Sequence, residues 1–243
     1  MVKELRERTG LGMMDCKKAL VEADGNMELA IEELRKKSVL KAEKKSGRIT
    51  ANGLLGLKLS EDLSRAAIVE INIETDFAAK NEKFISFVSK VANAVYQSEE
   101  DLTILMESGL DQERETLVQE IGENISVRRA ERLSAPEGGS VAAYIHSDNL
   151  KGCLVALDTT NSDLGRDIAM HITAINPMVI RSEDISEETI DKEREIYLSQ
   201  AQESGKPQDI VDKMVDGRIK KFLSEVSLVD QPFVKEPDKK IGD

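Results

Sequence analysis

A run of alternating apolar residues, a polar turn, a second such run and then an amphipathic helix occurs twice along the chain. This repetition limits the available folds more than any other feature. In the first occurrence "LLGLKL", the turn "SEDLSR" and "AAIVEINIE" precede a helical pattern carrying Phe84, Val88, Val91 and Val95. In the second, "SVAAYI", the turn "HSDNLKG" and "CLVALDT" precede Leu164, Ile168, Ile172 and Ile175. Alternation at period two gives one-sided strands, short polar turns pair them antiparallel, and the helical period that follows covers the sheet. The expected fold class is α+β, with a core of two hairpin-plus-helix halves built on antiparallel sheets.

The flanks add two helical units. Residues 1–38 read as three short helices, with Val2 and Leu5 in the first, Met13, Cys16, Leu20 and Ala23 in the second, and Met27, Ala30, Ile31 and Leu34 in the third. Asn26 stands at the N-cap of the third helix, and Arg35, Lys36 and Lys37 close it against the helix dipole. Residues 39–50 read as a basic, solvated linker. Core half one spans 51–134 and includes a helix with Leu117, Val118 and Ile121 on one face, then a short strand "ISVRR". Pro136, Gly138 and Gly139 mark the seam. Core half two takes 135–181 and 227–243. Between its two parts, residues 182–226 form a protruding antiparallel helical hairpin of coiled-coil type. Ser186 caps its first helix, Ile185 and Ile190 form a hydrophobic staple, and Gly205 with Pro207 stops it. The second helix uses Ile210, Val211, Met214, Val215, Ile219 and Phe222. Two such helices cannot bury all their apolar surface on each other, so the hairpin packs on the body, on a twin chain in a homodimer, or on a partner.

Several functions are excluded at this point. A formal charge of −12 and a pI near 4.9 oppose a phosphate-tracking nucleic-acid binder. The one basic run, "RKKSVLKAEKKSGR", has no interleaved aromatic residue to stack on bases. No apolar run reaches the ~18 residues of a membrane span, and the N-terminus lacks a signal-peptide core. With only Cys16 and Cys153 and no disulfide framework, a reducing cytoplasm is the expected location. No phosphate-cradling glycine motif is present, so no nucleotide or other cofactor is expected. His146 and His171 are the only histidines and neither has a second ligand at metal spacing, so no metal is expected. His146, Ser147 and Asp148 share one turn and cannot converge as a triad. His171 flanks an apolar helical stripe as a half-buried or partner-facing residue. A catalytic enzyme is not expected.

Two places invite contact with another molecule. At "INIETDFAAK" a strand ends and a helix begins around Thr75, Asp76, Phe77 and Ala78. Asp76 can cap the helix while Phe77 packs back on the sheet. Alternatively, Phe77 is an exposed anchor, because the second half makes the same join as "TTNSDL" without an aromatic residue. In "GLGMMD", Met13 and Met14 are consecutive at a helix start, so only one readily faces the core and the other offers a flexible apolar contact.

These segments resemble the elongation factor Ts family, the guanine-nucleotide exchange factors of elongation factor Tu. "VKELRERTGLGMMDCKKALVEADGNMELAIEELRKKS" is similar to its N-terminal ubiquitin-associated-like domain and "ETDFAAKNEKF" to its exchange signature. "IGENISVRR", "IAMHI", "SGKP" and "VSLVDQPFVKEP" extend the resemblance over the chain. Three departures stand out. Ala78 replaces a frequent valine, the chain begins a few residues later than many members, and longer members continue past Asp243 with a further strand and a helical module. The resemblance implies binding to GDP-loaded elongation factor Tu. Thr75, Asp76, Phe77 and Ala78 enter its G domain and displace magnesium, with Phe77 as a wedge and Asp76 anchoring the join. It implies that Met13 and Met14 meet the same domain, and it places His146, His171 and Val234 in segments that meet another. The alternative is a ubiquitin-associated-type adaptor that docks a small protein without exchange activity.

Overall fold

Three helices open the chain in the computed structural model, which describes residues 1–203 and 207–243. Helix α1 (Val2–Thr9), α2 (Met13–Glu22) and α3 (Met27–Lys45) bury Leu5, Leu11, Cys16, Ala19, Leu20, Ala23, Ala30 and Leu34 in a core of their own. Asn26 caps α3 as expected, its Oδ1 accepting from the backbone N–H groups of Glu28 and Leu29 at 3.0 and 3.2 Å. The stretch 39–50, expected to be a solvated linker, is helical as far as Lys45. The cause is a face of Ala30, Leu34, Ser38 and Ala42 at four-residue spacing, all buried. Small residues among lysines look like a charged run, yet they let the backbone come close to a neighbouring helix.

That neighbour belongs to the first hairpin unit. Strands β1 (Asn52–Leu59), β2 (Arg65–Ile73) and β3 (Ile125–Ser134) form an antiparallel sheet in that order, and β3 runs well beyond the expected "ISVRR". The register pairs Leu54 with Ile71 and Ile73 with Ile125, with a bulge between Glu70 and Ile71. Two helices follow β2, the single turn α4 (Asp76–Ala79) and the long α5 (Glu82–Gln97). Phe84, Val88, Val91 and Val95 of α5 all meet the sheet side of the core, as their spacing predicts. Gly56 allows this packing, because a Cβ there would lie 2.8 Å from Val88 Cγ1. After α6 (Leu102–Leu105), helix α7 (Asp111–Ile121) buries Leu117 and Val118 and packs against α3. It ends at Gly122, whose φ of 90° turns the chain into β3. Strands β4 (Ser140–Ile145) and β5 (Gly152–Leu157) make a second antiparallel pair, Ser140 opposite Leu157.

The chain divides after Gly165 into a unit of residues 1–165 and a unit of residues 166–243. Helix α8 (Ser162–Ile175) crosses that division. Its expected stripe is shifted: Ala169 and His171 are buried, whereas Leu164 and Ile175 are exposed. In the second unit, Val179 bridges Ser227 in parallel, and Met178 and Val179 both donate to Val226 O. The residues between them include α9 (Glu187–Gln202) and α10 (Gln208–Val226). These pack on each other through Ala201, Val211, Val215 and Ile219, with Ile190, Tyr197, Leu198 and Leu223 alongside. Ser186 caps α9, its Oγ accepting from Thr189 N at 3.3 Å, and Ile185 is buried next to it. The expected stop at Gly205 lies outside the described residues; Pro207 immediately precedes α10. Ile210 of the expected α10 face is exposed. The architecture is α+β with antiparallel sheets.

Candidate functional site

The end of β2 is held by side chains rather than by more ladder. Thr75 is extended (φ −124°, ψ 156°), and its Oγ1 accepts from Ala78 N at 3.2 Å, which makes Thr75 the N-cap of α4. Asp76, expected to be the cap, is already the first helical residue. Its carboxylate points outward to Lys80 Nζ at 3.1 Å. Threonine wins the position because its backbone alone is extended there while its hydroxyl reaches three residues forward. Thr75 is itself anchored: its N–H donates to Glu123 Oε2 at 2.9 Å and its Oγ1 donates to Glu123 Oε1 at 2.8 Å.

Residues of α4 part to two sides. Ala78 and Ala79 enter the chain's own core. Ala78, expected among contact residues, therefore spends its methyl group internally. Phe77 is 82% exposed, which removes the reading in which it packs back against the sheet. Lys80 Nζ lies 5.6 Å from its ring centroid, a cation–π distance. Asn81 then caps α5, its Oδ1 accepting from Lys83 N at 2.9 Å. A single turn thus projects a large apolar ring between two capped starts.

The other expected residues occupy different settings. Met13 and Met14 are 59% and 73% exposed, so neither takes the core position expected for one of them. Cys16, Ala19 and Leu20 fill the buried face of α2 instead. His146 is exposed in the β4–β5 turn, with Nδ1 3.4 Å from Tyr144 Oη. His171, expected to be half-buried or partner-facing, is completely buried. Its Nε2 lies 2.9 Å from Gln231 Oε1, and its Nδ1 accepts from Val234 N at 3.4 Å. That pattern fits a neutral ring protonated at Nε2 and a structural role. Val234 is 38% exposed, held by the buried histidine behind it.

The groove between α5 and α7 is lined by Arg35 and Glu82 and by two ion pairs, Lys83 with Glu120 and Lys90 with Glu113. Among the described residues no group of three His, Cys, Asp or Glu side chains could hold a metal ion, and no helix is long and apolar enough to cross a membrane. Burial pushes the Cys153 thiol up to about 11, which makes it a poor nucleophile. What the surface does present is an exposed aromatic ring and a methionine pair, the residue types of a protein contact.

Comparison with known proteins gives the relationship. A family model described as elongation factor TS matches residues 74–243. "Elongation factor Ts" of Hahella chejuensis is 58% identical over 244 residues, covering 100% of this chain and 84% of the relative. The chain belongs to the elongation factor Ts family. Members from Marinobacter nauticus and Thioalkalivibrio sulfidiphilus are 55% and 50% identical, each over 100% of this chain, which spans 83% and 84% of their lengths. The elongation factor Ts model begins at Glu74, one residue before Thr75, so its match takes in the whole join.

The residue that sequence reading missed is Glu123. It stands 48 positions from Thr75, and nothing periodic ties the two. Only its place inside "IGENISVRR" set that segment apart.

Proposed function

We propose that this chain binds elongation factor Tu in its GDP-loaded form and promotes GDP release so that GTP can load. The turn at residues 75–78 meets the partner's G domain near the magnesium site, with Phe77 as the wedge and Ala78 anchoring the turn from behind, and Met13 and Met14 supply a second contact on the same domain. The observation that carries this reading is the exposure of Phe77, 82%, on a helical turn whose other side is locked into the core by Ala78 and Ala79. An exposed ring on a fixed mount is poorly explained by this chain's own stability and well suited to a pocket in another protein. No bond is made or broken by this protein in such a role, and it acts where translation does, in the cytoplasm.

The mechanism is linkage. If the chain favours a partner conformation with a damaged magnesium and phosphate site, it weakens GDP by the same factor by which GDP weakens its own binding. A thousandfold coupling corresponds to about 4 kcal/mol. Titration calorimetry of the chain into nucleotide-free and into GDP-magnesium-loaded elongation factor Tu tests this. Markedly tighter binding to the nucleotide-free form is expected, and equal affinities overturn the proposal. Exposure of both Met13 and Met14 also favours the adaptor reading. An adaptor binds the two forms alike, so the same titration separates them.

A further inference from the structure

The last ladder pair between β2 and β3 is Ile73 with Ile125, and beyond it the two chain corners clasp each other through side chains. Glu123 accepts from the backbone N–H of Thr75 at 2.9 Å, and Glu74 accepts from the backbone N–H of Asn124 at 2.6 Å. Each corner thus lends its carboxylate to the amide of the other. Asn124, 4% exposed, extends the clasp by donating from Nδ2 to Ser46 O at 3.2 Å and to Arg48 O at 3.0 Å. Lys45 Nζ reaches Gly122 O at 2.5 Å, and burial, then the nearby Arg48 charge, pushes that ammonium below its ordinary value. One corner, residues 122–124, therefore fixes the end of α3 and the start of α4 together.

From this geometry we infer that Glu123 is a positioning residue for nucleotide exchange, acting by setting the pose from which Phe77 is presented. The inference rests on the proposed role of Phe77. A four-residue helix has no stability of its own, since helix nucleation is unfavourable and needs several turns to repay. The pose of α4 is fixed by its two buried alanines and by its cap. The cap works only if the Thr75 hydroxyl aims a lone pair at Ala78 N. A carboxylate accepts and never donates, so Glu123 commits the hydroxyl proton to itself and leaves Oγ1 free to receive the amide. Charge-assisted bonds of this type are the stronger kind. The Phe77 ring is 82% exposed, with Lys80 Nζ 5.6 Å from its centroid, so the direction of its Cα–Cβ bond is inherited from this relay. A ring presented in one orientation loses less freedom on docking than one that must be ordered by the partner.

The test is a double-mutant cycle with the full chain and GDP-loaded elongation factor Tu, read as the rate of GDP release. Glu123→Ala is expected to slow release about tenfold, the scale of one lost charge-assisted hydrogen bond. In a Phe77→Ala background the same substitution is expected to change the rate by less than about twofold, because coupled residues are not additive. Thr75→Val, which replaces the hydroxyl with a methyl group of similar size, should mimic Glu123→Ala, and Thr75→Ser should recover most of that loss. Amide hydrogen exchange at Thr75 and Ala78 in the free protein should quicken in Glu123→Ala while the strand amides of β1 and β2 keep their protection. If Glu123→Ala loses its cooperative thermal transition, the isosteric Glu123→Gln takes its place in the cycle.

Equal slowing by Glu123→Ala in both backgrounds overturns the inference, since Glu123 would then act without Phe77. So does an unchanged rate in Glu123→Ala where Phe77→Ala alone is slow. If Phe77→Ala itself leaves release unchanged, the wedge reading falls and takes the inference with it, which distinguishes the two failures.

Discussion

The two strand-to-helix joins solve one problem in different ways. In the second, β5 ends at Leu157 and α8 starts at Ser162. Asn161 Oδ1 accepts from Leu164 N at 3.1 Å, and Gly165 lies close against Ala142 of the hairpin. In the first, β2 ends at Ile73 and the main helix starts only at Glu82, with α4 inserted between them. Both joins are capped by a polar side chain and both meet the sheet through small residues, Ala78 and Ala79 in one and Gly165 in the other. The added turn is therefore not needed to connect a hairpin to a helix. Its distinctive product is an exposed phenylalanine and a threonine tied across to Glu123.

Substitutions can break or sharpen this contrast. The largest effect is expected at Phe84, which is fully buried in the α5 core only seven positions beyond Phe77. Phe84→Ala should cost about 3–5 kcal/mol in a denaturant titration, through lost burial and the cavity left behind. A cost near zero would mean that the first half is not organised around α5. Next comes Gly165→Ala, whose added Cβ would lie 2.7 Å from Ala142 Cβ. Overpacking outweighs the gain in helix propensity there, for a net loss of about 1–2 kcal/mol. A stabilised variant would show that Gly165 does not press on Ala142.

The smallest effect concerns the first hairpin's own turn. The Ser64 hydroxyl first, then Ser60, hold the Asp62 carboxyl down from 3.8 to about 2. Its folded value is the lower one, so its contribution to stability is present above about pH 3.8 and is lost as the pH falls through about 2. Carbon-detected titration should place the Asp62 midpoint well below that of an unstructured aspartate. A midpoint near 3.8 would mean that the turn does not hold its serine bonds in solution.

How much of this was legible follows from which interactions are periodic. The α5 face was, because Phe84, Val88, Val91 and Val95 repeat at helical spacing and are large enough to show. The continuation of α3 was not, because its buried face beyond Leu34 consists of Ser38 and Ala42 among lysines. On α8 the large residues misled: Leu164 and Ile175 look like a core stripe, yet the buried positions are small Gly165 and Ala169 and a histidine satisfied by Gln231 and the Val234 amide. At the candidate site, the oddity of Phe77 was visible from comparison with "TTNSDL". Its mount was not. Thr75 and Asp76 are both good capping residues, and only backbone geometry decides between them. Glu123 is joined to Thr75 by tertiary folding alone, so no local pattern could reveal it.

The central claim is that Phe77 acts on another protein and contributes little to its own. Stopped-flow release of a fluorescent GDP analogue from elongation factor Tu, with the parent chain and Phe77→Ala side by side, tests it most directly. The melting curve of each should be recorded in parallel. The account predicts release slowed about thirtyfold, as for loss of a hot-spot contact of about 2 kcal/mol, with stability changed by less than about 0.5 kcal/mol. An unchanged release rate, or a slow rate explained by a lost thermal transition, would contradict it.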